Sequence, residues 1–326
     1  MSMRELQPPF PAAVNPREPL LAQHLATRTQ ELSAADRELA AEIRKARFER
    51  LISRMYPTAE PRALRGIADI VVWTVLLDDY LDPHRSGHTP GRVDHVQASI
   101  EAVLDKNDAT NHRGLLDSWL ASALRSLEAP DDAWLSQLIE HLRNFAIAIC
   151  AEARAHASGI MPSIAEYLLQ RRETSAWAVV VDLLALQPGT ALPNSLRTAN
   201  TTTRMCTPAG EVMSGMNDIL SLPKELARGE RHNLVLLIQH QDACPLPDAV
   251  DRVHAYITER TSEYLKSKTE FLDHIARSSP HMYPTGERFT TALEHLIRGI
   301  YDWSIDTDRY VAREVEAEPT TTQSGQ

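Results

Sequence analysis

Residues 70–77 read "IVVWTVLL", uncharged on every side of the helix they would form, and residues 78–82 read "DDYLD". A helix that is apolar all round must be covered by protein on all its faces. This one runs straight into carboxylates, and burying carboxylates without partners is prohibitively costly. The chain therefore has to enclose the helix and still deliver its C-terminal end to water, to cations or to both. The run is far shorter than the roughly 20 residues that span a bilayer. Residues 1–30 also lack a basic stretch followed by an apolar one, so neither a membrane span nor a secretory signal is expected.

The rest of the sequence is compatible with such a helical enclosure. Apolar spacing near 3.6 recurs from "PLLAQHLATRTQEL" onward, two-residue alternation is hard to find, and glycine is scarce at 12 residues of 326. These features predict an all-α fold. Punctuation at "YPTAEP", "PHRSGHTPG", "EAPDD", "SGIMPS", "LQPGTALPN", "LARGERHN", "ACPLP" and "SSPHMYPTGE" divides it into about nine or ten helices. No repeat of fixed period appears, which argues against a solenoid. Low-complexity sequence is confined to the ends. We therefore expect an N-terminal segment (1–19), one domain (20–313) and a disordered, polar C-terminal tail (314–326).

A net charge of −10 argues against a nucleic-acid partner, because neutralising phosphates needs a basic surface. An anionic ligand would have to find local cations or metal. Cys150, Cys206 and Cys244 are odd in number and scattered, so neither a disulfide framework nor a zinc site is expected, and a reducing cytoplasm fits best.

Turning 100° per residue from Asp78 places Asp82 at about 40° and Asp79 at about 100°, with Val71, Thr74 and Val75 upstream on the Asp78 stripe. Oxygen donors so spaced suit a hard ion such as Mg2+; a helix end that simply meets solvent fits the same pattern. The same wheel puts Asn217, Ser221 and Glu225 of "NDILSLPKE" on one stripe and Ile219, Leu222 and Leu226 opposite, the pattern of an ordinary amphipathic helix. Pro223 cannot donate to the carbonyl of Ile219, so the helix should kink or loosen between Ile219 and Pro223.

Together the two segments resemble the paired metal motifs of class I terpene cyclases of the bacterial type. "DDYLD" has the form DDxxD, and "NDILSLPKE" matches NDxxSxxxE at every defining position. Arg171, in "PSIAEYLLQRRETSA", lies at the family's spacing for a diphosphate-sensing arginine. "WSIDTDRY" supplies the terminal Arg-Tyr pair, Arg309 and Tyr310, preceded by Trp303. The resemblance covers about residues 8–310 and implies a single-domain antiparallel helical bundle around an apolar cavity.

It also implies an activity and a set of roles. Three Mg2+ ions would bridge the protein to the diphosphate of a linear isoprenoid, most often farnesyl diphosphate in single-domain members, and a homodimer would be compatible. Asp78 and Asp82 would be ligands on one side and Asn217, Ser221 and Glu225 on the other, with Asp79 standing behind them. Arg171, Lys224, Arg309 and Tyr310 would bind the diphosphate. Thr174 and Ser175 fall where a helix break aims a backbone carbonyl at the cation, although the segment lacks the usual glycine and would otherwise pass for a plain helical turn. Trp303 would line the pocket with Val71, Thr74 and Val75, whereas Trp73 and Trp177 would pack between helices. Rival expectations are a diterpene synthase using geranylgeranyl diphosphate, a chain-elongating prenyltransferase and a non-catalytic helical binding protein.

Overall fold

The computed structural model describes residues 6–82, 91–105 and 114–310, and every regular element among them is helical. The α-helices are α1 (Glu18–Ala35), α2 (Arg37–Ala46), α3 (Phe48–Met55), α4 (Pro61–Leu81), α5 (Arg92–Leu104), α6 (Leu115–Ser126), α7 (Asp132–Ser158), α8 (Ile164–Thr174), α9 (Trp177–Asp182), α10 (Asn194–Arg197), α11 (Asn200–Leu220), α12 (Leu222–Arg228), α13 (Leu234–Gln241), α14 (Leu246–Ser278) and α15 (Tyr283–Ser304). Short three-residue-per-turn segments follow α9, precede α15 and carry Asp308–Tyr310.

The segments outnumber the nine or ten expected because several joints use neither glycine nor proline. Asp36 ends α1 and caps α2 by accepting from Leu39 N at 2.8 Å. Arg47 separates α2 from α3 in a left-handed conformation, φ 54°. Local propensity gives little warning of such a residue, since left-handed backbone is uncommon outside glycine.

Helix α4 opens on Pro61, where the missing N–H costs nothing, and from Gly66 to Leu77 it is buried except at Val75, which is partly exposed. Trp73 is fully buried; its indole donates to Leu116 O at 3.0 Å and its ring meets Phe145 edge-on. Around α4 stand α1, α3, α6 and α7, while α11 lies along α14, and α15 along α3. Gly299 permits that last approach, because a Cβ there would stand 2.8 Å from the backbone of Arg54 and Met55.

The proline-rich N-terminal residues do not hang loose. Leu6 and Phe10 are buried, and Asn15, fully buried, donates to the carbonyls of Tyr56 and Ala59 at 2.9 Å. The expected tail, 314–326, lies outside the described residues. All three cysteines are free thiols. Among the described residues no helix is long and apolar enough to cross a membrane.

Candidate active site

The carboxylates of α4 emerge where its apolar run ends. Asp78 is exposed at the mouth of the bundle, Asp79 is buried, and Asp82 is the first residue past the helix. Asp79 receives both terminal nitrogens of Arg309, at 2.8 and 2.9 Å, in a pair with little solvent access. Arg228 holds Asp82 at 3.0 Å. The stripe that continues Val71, Thr74 and Val75 is thus ordered by guanidinium groups from distant parts of the chain.

Facing it, the helix carrying the second motif is interrupted as Pro223 requires. Helix α11 ends at Leu220, Ser221 forms the joint, and α12 restarts with Pro223 in its first turn. Ser221 N still donates to Asn217 O at 2.8 Å and Glu225 N to Ser221 O at 3.0 Å, so Asn217, Ser221 and Glu225 keep a common side. Their bonds leave acceptor capacity toward the gap. The Ser221 hydroxyl donates to Asn217 O at 2.7 Å, which frees its oxygen lone pairs, and Glu225 gives Asn233 only Oε2, at 2.6 Å. Asn217 receives Arg171 on Oδ1 at 2.8 Å and donates to the Tyr310 hydroxyl at 2.9 Å.

Asp218 escaped the sequence reading. It lies about 100° from Asn217, off the polar stripe, and it organises the region from behind. Its carboxylate accepts from Arg171 at 3.1 Å, from the Tyr167 hydroxyl at 2.8 Å and from Leu234 N at 3.1 Å. Asn233, fully buried, donates both to Asp218 O and to Glu225. The one signal for Asp218 was its place inside the second motif; its partners belong to other helices.

The two motifs enclose a polar chamber of about 940 Å³ to its open mouth, lined by Asp78, Asp79, Asp82, Asn217, Ser221, Lys224, Glu225, Arg309 and Tyr310. Negative charge crowds it. Burial, then the charge of Asp78, pushes the Glu152 carboxyl up to about 7, and burial, then Asp82, does the same to Glu230. The Lys224 ammonium is held below its ordinary range by burial and then by Arg309.

Beside it lies an apolar cavity of about 830 Å³ to its mouth, lined by Phe48, Val71, Thr74, Val75, Phe145, Thr174, Ser175, Val180, Met213 and Trp303 among others. Trp303 stacks on Phe48 with centroids 5.5 Å apart and meets Tyr310 edge-on at 5.7 Å. Trp177 instead lies on the far side of the α8–α9 joint, its indole donating to Cys206 O at 2.8 Å. A larger cavity opens there, about 1300 Å³, but neither Asp78 nor Asn217 borders it. The helix break sits one residue beyond the expected pair: Thr174 ends α8, Ser175 caps it, and Ala176 takes φ 54°. Ala176 thereby adopts the left-handed backbone for which glycine is the usual residue.

Polar chamber and apolar cavity share one boundary: Asp78, Arg171, Asn217, Arg309 and Tyr310 line both. The Arg171 guanidinium stands at this junction with its buried Nε–H lacking a hydrogen-bond partner among the described residues. Such a group costs stability unless an acceptor arrives.

The family described as "Terpene synthase family 2, C-terminal metal binding" matches residues 69–263. Among curated proteins, the chain is 28% identical over 306 residues to (+)-T-muurolol synthase of Roseiflexus castenholzii, named as cyclising (2E,6E)-farnesyl diphosphate, covering 93% of this chain and 92% of that one. It is 28% identical over 287 residues to pentalenene synthase of Streptomyces exfoliatus, covering 86% and 82%. Among solved structures, linalool/nerolidol synthase from Streptomyces clavuligerus superposes with a TM-score of 0.77 at 22% identity, covering 91% of this chain and 98% of that one. With both motifs facing one chamber and the match running through both of them, the chain belongs to terpene synthase family 2 and is a class I terpene synthase of the bacterial type.

Proposed function

We propose that this terpene synthase ionises and cyclises farnesyl diphosphate in a Mg2+-dependent reaction. The observation that carries the reading is the shared boundary between a chamber of oxygen donors and cations and a cavity of hydrocarbon side chains. It suits a ligand with a diphosphate head and a hydrocarbon tail. The name of the (+)-T-muurolol synthase, which states that it cyclises (2E,6E)-farnesyl diphosphate, supports a fifteen-carbon substrate.

Asp78 and Asp82 on one wall, and the Asn217 amide oxygen, the Ser221 hydroxyl and Glu225 on the other, are the groups that would hold Mg2+, three ions in all. All are oxygen donors, as a hard ion requires, and the bonds of Ser221 and Glu225 leave lone pairs for it. When bound, the ions would supply Lewis-acid stabilisation of charge on the departing diphosphate. Arg171 offers its orphaned Nε–H to a diphosphate oxygen, and Lys224, Arg309 and Tyr310 donate from the other side. These preorganised donors favour the state in which the C1–O bond has broken and its electron pair has left with the diphosphate. The remaining allylic cation is taken up by the cavity of Val71, Thr74, Val75 and Trp303. The cavity's apolar walls disfavour water, the Phe48, Phe145 and Trp303 rings offer π faces, and at the break the Thr174 and Ser175 carbonyls leave the helical pattern while that of Ala176 starts the next helix by accepting from Val180 N at 3.1 Å. Attack by a distal double bond closes the ring, and loss of a proton or capture of water ends the sequence.

Purified protein incubated with Mg2+ and geranyl, farnesyl or geranylgeranyl diphosphate tests this by product analysis. A cyclic fifteen-carbon product from farnesyl diphosphate is expected. Turnover of geranylgeranyl diphosphate alone would replace the substrate assignment, and longer diphosphates on adding isopentenyl diphosphate would indicate chain elongation. No turnover at all would defeat the reading.

A further inference from the structure

A second group of ligand atoms borders the diphosphate chamber and is unlike the two motifs. Glu152 and His156 lie one turn apart on α7, and His232 precedes α13. Glu152 Oε1 stands 3.8 Å from His156 Nε2 and 3.9 Å from His232 Nδ1, and one ligand atom from each residue lies within 4.8 Å of the others. The two imidazoles meet edge to face, 84° apart with centroids 3.8 Å apart.

The far side of each ring decides what the near side offers. His232 Nε2 lies 3.3 Å from Ile160 O, a group that only accepts, so the ring proton belongs there and Nδ1 turns a lone pair toward Glu152. His156 Nδ1 lies 3.3 Å from Glu230 Oε2, and the same reasoning turns the Nε2 lone pair toward the same oxygen. Two imidazole lone pairs and a carboxylate then converge on one point. An outer carboxylate or carbonyl that orients each histidine is the arrangement found behind metal-bound imidazoles.

We propose that Glu152, His156 and His232 bind one divalent cation of the zinc class at the wall of the diphosphate chamber, with Glu230 and the Ile160 carbonyl orienting the two rings. Zinc takes imidazole nitrogen at about 2.0–2.1 Å and carboxylate oxygen at about 2.0–2.2 Å. Tetrahedral legs of that length hold ligand atoms roughly 3.3–3.5 Å apart, so the two carboxylate–imidazole separations of 3.8 and 3.9 Å need to close by about half an ångström and the two nitrogens, within 4.8 Å of each other, have to move together with them. The nitrogen donors distinguish this group from the oxygen-only set of Asp78, Asn217, Ser221 and Glu225, since imidazole suits zinc, cobalt or nickel better than Mg2+. Glu152, His156 and His232 line the same chamber as those residues, so a coordination position left over opens toward water or a phosphate oxygen. The cation would also tie α7 to the segment between α12 and α13.

Protein stripped with a chelator and kept in excess Mg2+ is titrated with Co2+ and read by visible absorption. One equivalent per chain with the d–d bands of imidazole-ligated cobalt, displaced by Zn2+, is expected, together with a rise in melting temperature on adding Zn2+. His156→Gln and His232→Gln should each weaken Co2+ binding at least about tenfold and cancel the thermal shift, while Asp78→Asn should leave both in place. Absence of those bands in the unmodified protein overturns the proposal whatever the variants do, and so does their survival in both histidine variants or their loss in Asp78→Asn. The readout needs no turnover, so failure to cyclise farnesyl diphosphate would defeat the function proposed above and leave this site standing.

Discussion

Helices α4 and α7 are built alike and end differently. On α4 an apolar stripe through Val71 and Val75 runs into Asp78 and Asp82, within about 60° of arc; on α7 one through Leu142, Phe145 and Ile149 runs into Glu152 and His156, within about 80° at 100° per residue. Both therefore carry polar side chains from a packed interior to the wall of the same chamber. The α4 end presents carboxylates alone, restrained by Arg309 and Arg228, whereas the α7 end mixes carboxylate with imidazole. One fold device, an apolar helix that surfaces inside a cleft, thus delivers either hard or borderline donors according to its last turns.

The sharpest way to break this comparison is to disable each end in turn. Asp78→Asn, Asn217→Ala or Glu225→Ala should lower kcat/KM with farnesyl diphosphate by at least about 10²–10³ while circular dichroism stays unchanged. In Mg2+ alone, His156→Gln should cost no more than a few-fold. Equal losses from both ends would mean that they perform a single task.

Next in size is the latch behind the α4 end. Arg309→Ala strands Asp79 as a buried carboxylate without its guanidinium, and breaking such a pair costs roughly 3–5 kcal/mol. Denaturant unfolding should show it as a lower midpoint, and a stability change under about 1 kcal/mol would show that water reaches Asp79 and screens it.

The acidic crowding predicts a dependence on pH. Glu152 and Glu230 bind protons more tightly folded, near 7, than at the ordinary 4.5. The folded chain therefore holds extra protons between those values, and metal-free stability should fall as pH rises from about 4.5 through 7. Mg2+ with inorganic diphosphate should recover part of the loss at pH 8, readable as a melting shift. A metal-free melting temperature that rises over this range would contradict the crowding.

Smallest is Ala176. Its left-handed backbone strains any side chain, so Ala176→Gly should stabilise by about 0.5–1 kcal/mol, and Ala176→Val should destabilise by more.

Much of the α4 end was legible because three carboxylates in five residues follow an uncharged run, a contrast that survives any choice of neighbours. The break at Ser221 was legible too, since proline's missing donor acts locally. Glu152 and His156 were not: on α7 the adjacent "AEARAHAS" reads as a solvated surface, and only His232, from a segment distant in sequence, gives the pair a common target. Asp218 and Asn233 were hidden for a related reason, as their importance lies in bonds that tertiary packing creates, those of Asp218 to Tyr167, Arg171 and Leu234 and those of Asn233 to Asp218 and Glu225. At Ala176 the expected glycine is missing, and the surrounding packing imposes the backbone that sequence alone would not choose.

Asp79 and Arg309 are separated by 230 positions, and Trp303, which donates to Ala46 O at 2.7 Å, closes a still longer span. A chain emerging from the ribosome makes the first partner of each pair 230 or more residues before the second. The bundle can begin to assemble in order, but the chamber cannot close until residues 303–310 are released. A message truncated ahead of residue 303 would therefore yield a product with a buried lone charge and an open apolar cleft, marked for removal by quality control before any activity could be measured.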